Sequence, residues 1–116
     1  MAVYGIGLFT MREMHPDMVE YLDKLGETLA PYGGKMLIHG GKTSTIEGEE
    51  WTKDVVVIEF ADQEKAEGWY YSDAYQAILR YRTDHIDGEV FLVDGVPDGY
   101  DPKQKAEVFR NILAGK

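Results

Sequence analysis

Residues 54–82, DVVVIEFADQEKAEGWYYSDAYQAILRYR, decide the fold. The first seven, Asp54 to Phe60, are nearly all apolar, as a strand in the middle of a sheet requires. Asp62 then suits a helix N-cap, with Lys65 where a capping box would need Glu or Gln. This pattern predicts a helix to about Tyr71. Ser72 caps a second segment, 73–86, carrying Tyr75, Ile78, Leu79 and Tyr81. Trp69, Tyr70, Tyr71 and Tyr75 crowd four rings into this region. Consecutive helical residues point about 100° apart, so these rings cannot all face one core. Trp69 reads as core, and Tyr70 or Tyr71 as the lining of a cleft. Ser72, Tyr75 and Arg82 share one stripe if the helix is continuous.

Working outward, residues 2–10 read as a strand with Tyr4, Ile6 and Leu8 on one face. Gly5 and Gly7 lie on the other, leaving room for a backbone, a ligand or a large side chain. Residues 16–30 read as a helix opened by Pro16 and Asp17 and closed by Pro31 and Gly33-Gly34. Residues 35–47 read as a strand interrupted at Gly40-Gly41 by a bulge or bend. Simple alternation puts Leu37 with His39 on one face and Met36 with Ile38 on the other. Residues 89–94 form a last strand, 96–99 a turn, and 102–114 a terminal helix with a narrow stripe at Ala106, Phe109, Ile112 and Leu113.

The order β-α-β-β-α-β plus a helix predicts an α+β fold. It is the ferredoxin-like arrangement, a four-stranded antiparallel sheet with its helices on one face. Residues 1–96 form that domain and 97–116 a C-terminal extension. The bare sheet face is expected to carry apolar residues, so a homodimer is expected.

Composition narrows the function. A chain of 116 residues fits one domain, and 44% hydrophobic with 28% charged residues is ordinary for a globular protein. The formal net charge of −9 disfavours nucleic acid and anionic membrane surfaces. The absence of cysteine excludes disulfides, thiolate nucleophiles and Cys-based zinc sites. No signal peptide or membrane span is legible, so a cytoplasmic location is expected.

The sequence resembles the DUF1330 family of the dimeric α+β barrel superfamily. The matching residues are Tyr32-Gly33-Gly34-Lys35, Gly40-Gly41, Glu47-Gly48, Glu59-Phe60, Ala66, Trp69-Tyr70, Ser72, Tyr75-Gln76, Arg82 and Gly95. They cover residues 3–95. Two departures stand out: Asp73-Ala74 where the family often has Pro-Glu, and His39 where it often has Arg. The terminal helix lies outside the usual family core. The resemblance implies a dimer with its sheets face to face and a cleft between sheet and helices in each subunit. It implies no established reaction. The wider superfamily includes isomerase-like enzymes, cofactor-free monooxygenases and haem-degrading enzymes.

His39 is the leading catalytic candidate, since histidine titrates near neutrality and suits proton abstraction. The alternative is a hydrogen-bonded residue at a strand end or dimer seam. Arg82 with Tyr75 could hold a carboxylate or developing enolate. The alternative pairs Arg82 with Glu59 or Asp84. Glu59 is either a buried acid or a salt-bridge partner. Trp69, Tyr70, Tyr71, Ser72 and Glu59 are the candidate substrate-binding residues. His15 and His85 read as surface or helix-end residues. Three histidines well separated in sequence predict no metal site. The expected function is a cofactor-free, proton-transfer enzyme of isomerase or cyclase type acting on a small, partly apolar organic acid or polyketide-like molecule. A non-catalytic ligand-binding or structural dimer is the alternative, and a cofactor-independent monooxygenase a weaker one.

Overall fold

The computed structural model describes residues 1–115; Lys116, the last residue of the expected extension, lies outside them. The described chain forms β1 (Val3–Met11), α1 (Pro16–Leu29), β2 (Lys35–His39), β3 (Asp54–Phe60), α2 (Gln63–Tyr70), α3 (Asp73–Thr83), β4 (Ile86–Asp94) and α4 (Pro102–Leu113). One antiparallel sheet has the order β2-β3-β1-β4, so the apolar strand β3 is interior as its composition requires. The fold is α+β and ferredoxin-like.

Local chemistry sets the element ends. His15 caps α1 by accepting from the Asp17 N–H, Asp62 caps α2 through the Lys65 N–H, and Ser72 caps α3 through the Tyr75 N–H. A 3-10 turn, Ala30–Tyr32, follows α1 and ends at Gly33, whose φ of 66° favours glycine. The next residue, Gly34, has no room for a Cβ, which would collide with Leu29 and Phe60.

The core lies between α1, α2 and α3 and one sheet face. Val3, Ile58 and Phe60 come from the sheet, Met18, Tyr21, Leu25 and Leu29 from α1, and Ala66, Trp69, Tyr75 and Ile78 from α2 and α3. The Trp69 Nε1–H donates to Thr28 Oγ1 at 3.0 Å, and that hydroxyl donates to the Leu25 carbonyl. Trp69 is therefore core, as its position in the ring-rich helix suggested, and its one polar atom is satisfied there.

Three expectations need correction. Strand β2 ends at His39, and residues 40–53 are irregular rather than a continued strand. The irregularity in β2 lies between Met36 and Ile38, not at Gly40-Gly41. It changes the faces: Met36 pairs with Ile58 and His39 with Val56, so Met36 and His39 share the helix-covered face. Without the extra residue, His39 would lie on the outer face with Lys35, because a strand alternates with period two. The third concerns β4, which starts at Ile86 rather than residue 89 and shortens α3 to Thr83.

Candidate functional site

The β2 bulge and the last turn of α3 bring His39 and Arg82 to the same cavity. Phe9, Met18, Tyr21, Leu22, Leu25, Val56, Ile58 and Ile86 complete its wall. It has a volume of about 70 Å³. That is room for roughly two waters or one carboxylate, so a larger molecule could place only its end there.

Arg82 is buried, at 7% exposure. No carboxylate among the described residues lies within ion-pair distance of it. Its Nε is a buried donor without a partner. Its guanidinium carbon sits 4.8 Å from the Phe9 ring centre and 6.0 Å from that of Tyr21. One amino group reaches the Tyr75 hydroxyl at 3.5 Å, a long contact. The Tyr75 and Tyr21 hydroxyls share a hydrogen bond of 2.7 Å. Burial, and then the Tyr75 hydroxyl, push the Tyr21 phenol well above its ordinary value, so it remains neutral. Burial works against the charge on Arg82, but the two phenol oxygens favour it and the net shift is upward.

Both sequence-level partners for Arg82 are ruled out. Asp84 sits near Arg80, at 3.8 Å. Glu59 lies on the opposite sheet face, across from Tyr4 on β1 and Lys35 on β2. Desolvation, and then the Glu59 carboxylate, raise the pKa of Tyr4.

The room left by small residues in β1 is filled by a side chain. The Phe9 ring folds over Gly7 and Gly88, and a Cβ at either position would strike it. The two glycines thus make the bed on which Phe9, and above it Arg82, lie. The glycine spacing in β1 signals this, but Gly88 joins the pattern only through the β1–β4 pairing of Phe9 with Gly88.

The other candidate residues fall elsewhere. Ser72 works as a cap: its hydroxyl donates to the Trp69 carbonyl at 2.7 Å and accepts from the Tyr75 N–H. Tyr70 and Tyr71 line a separate groove of about 120 Å³ with Val90, Phe91 and Leu92. Tyr21 was missed because its period along α1 marks it only as core. Its hydroxyl is visible as part of the site only once α1 packs on α3.

His85 stands at the end of α3, one of its two expected places, and there it is buried rather than on the surface. Its Nδ1 meets Glu13 at 2.5 Å and its Nε2 meets Asp17 at 2.9 Å. Its ring stacks on His15 with centres 4.0 Å apart and planes 13° from parallel. His15, Asp17 and His85 therefore converge in space despite their separation in sequence. Within this cluster both ring nitrogens of His85 are already taken up by carboxylates, Glu13 and Asp17, which makes it an ion-pair clamp.

The model of the family described as Domain of unknown function (DUF1330) matches residues 2–96. No curated protein shows a significant match. Among solved structures, the chain is similar to a protein of unknown function from Rhodopseudomonas palustris. The TM-score is 0.66 and the identity 15%, with 83% of each chain covered. It is similar to SnoaB, a cofactor-independent oxygenase from Streptomyces nogalater, with a TM-score of 0.59 and 12% identity, covering 86% of this chain and 98% of that one. It is also similar to a dabb family protein with a ferredoxin-like fold from Mesorhizobium loti, with a TM-score of 0.52 and 17% identity, covering 84% and 98%. At these identities the likeness is one of fold.

Proposed function

We infer that this chain, which belongs to the DUF1330 family, is a homodimer that binds a small, partly apolar organic acid in the cavity between sheet and helices. The observation that carries this reading is the buried Arg82 with no carboxylate partner. A buried cation without a counter-charge costs free energy that the fold recovers elsewhere, and a bound anion would supply the missing charge. The carboxylate or enolate of the ligand would take the Arg82 N–H donors, with the Tyr21 and Tyr75 hydroxyls behind them. The cavity would take only that acidic end, and the apolar part would lie outside it against the exposed side of Leu22.

The reaction proposed is proton transfer of isomerase or cyclase type. His39 would remove a proton beside the carbonyl or carboxylate, and Arg82 would stabilise the developing negative charge. These steps draw on the chain's own side chains. The outer sheet face supports the homodimer: Ile38, Phe91 and Val93 are each nearly half exposed there, beside Ile6, Leu8 and Val57.

A ligand-observed NMR screen of small organic acids in deuterated water tests both halves, on wild type and His39→Ala. The expected result is binding by both proteins and deuterium uptake into the ligand with wild type alone. Binding without uptake in either leaves a ligand-binding protein and removes the catalytic proposal.

A further inference from the structure

Two segments stand clear of the body. Residues 40–53, the loop between β2 and β3, are exposed throughout, with Ile46 at 94%. Helix α4 buries no residue, and Phe109, Ile112 and Leu113 on its apolar stripe are all more than half exposed. The radius of gyration is 17.4 Å, against about 13 Å for a compact chain of this length. An amphipathic helix with an uncovered stripe needs a surface to lie on.

The two segments are chemically complementary. The loop tip, residues 46–51, sets Glu47, Glu49 and Glu50 between Ile46 and Trp51, with Lys42 and Lys53 only at its roots. A groove of about 500 Å³ opens beside them, lined by Thr43, Thr45, Gly48, Glu50 and Trp51 among others. Helix α4 sets Lys103, Lys105 and Arg110 beside its apolar stripe, against one acid, Glu107. Helix α4 thus carries a net +2 in a chain of −9, leaving −11 on the rest.

Topology separates the two within one chain. The loop leaves the sheet where Asp54 pairs with Phe9, and the arm bearing α4 leaves it where Asp94 pairs with Val3. Those ends are about 20 Å apart along the strands. A two-fold pair of chains with strands running oppositely would bring each arm to the loop end of the other, so that both contacts form at once.

We propose that α4 of each chain docks on the 46–51 loop tip of a second copy, its apolar stripe on Ile46 and Trp51 and its lysines on the glutamates. The proposal rests on the homodimer inferred above. The arms strap the dimer and offset the repulsion between two strongly acidic bodies.

Analytical ultracentrifugation at low salt tests it with three variants of the full chain: Glu47→Lys with Glu49→Lys, Lys103→Glu with Lys105→Glu, and all four together. All four positions are exposed, so the fold tolerates them. Each pair of changes is expected to weaken self-association about tenfold or more, and the fourfold variant to restore it. A wild-type dimer that no variant weakens would overturn the strap and leave the sheet-face dimer standing. Weakening without rescue would show that arm and loop touch different surfaces, which also overturns the pairing. A monomeric wild type would sink the homodimer itself.

Discussion

Arg82 and its surroundings give the sharpest consequences for single residues. A structural arginine is usually tied to acids, and its loss leaves a buried carboxylate behind. Arg82 leaves none. Arg82→Met should therefore fold with a melting temperature equal to or above that of wild type. Tyr21→Phe removes one partner of the buried phenol pair, and a loss of about 1 kcal/mol is expected in denaturant unfolding. The stripe linking Tyr75 to Arg82 was legible because a helix repeats every 3.6 residues. That Arg82 would be unpaired was not, because Glu59 and Asp84 are equally plausible partners until the sheet assigns Glu59 a face.

Among the elements, β2 shows most clearly what a pattern can miss. Alternation alone places His39 with Leu37, and a single extra residue reverses this. Nothing in Met36-Leu37-Ile38 marks a bulge, since all three are apolar and fit either face. The packing of Phe9 over Gly7 and Gly88 is tested by paired substitutions. At Gly7 the nearest atoms a methyl meets all belong to the Phe9 ring, whereas at Gly88 the nearest is the Leu8 carbonyl. Gly88→Ala should therefore destabilise more than Gly7→Ala in thermal unfolding, and equal costs would count against this packing. Helices α1 and α3 are pinned together at the His85 clamp. The Asp17 and then the Glu13 hydrogen bonds raise the pKa of His85 in the folded protein. Its contribution is therefore complete below the ordinary value of about 6.5 and is lost as pH rises through the raised folded value. The melting-temperature gap between wild type and His85→Gln should be wider at pH 6 than at pH 9. A gap independent of pH would remove the charged clamp.

At the scale of the molecule, the helix-covered face and the outer face divide the work. The first buries the core and holds the small cavity. The second offers an apolar surface that one copy does not cover. Phe91→Glu places a charge in that surface and should shift the protein toward monomer in sedimentation, with its far-ultraviolet spectrum unchanged. The ferredoxin-like order was legible from the alternation of strand and helix periods, and the family from an ordered set of short matches. The candidate site was only half legible: His39 and Arg82 were named as candidates, but Tyr21 and Phe9 join them through pairings between elements far apart in sequence. Among the described residues no helix is long and apolar enough to cross a membrane.

The central claim is that Arg82 is held unpaired to receive an anion. Thermal unfolding of wild type and Arg82→Met, each in benzoate and in the neutral isostere benzamide, tests it directly. A ligand bound only by the folded state raises the melting temperature. Wild type should be stabilised by benzoate more than by benzamide, while Arg82→Met folds as stably without ligand and loses that preference. An Arg82→Met protein that melts well below wild type, together with a wild type indifferent to benzoate, would make Arg82 a structural residue and contradict the account.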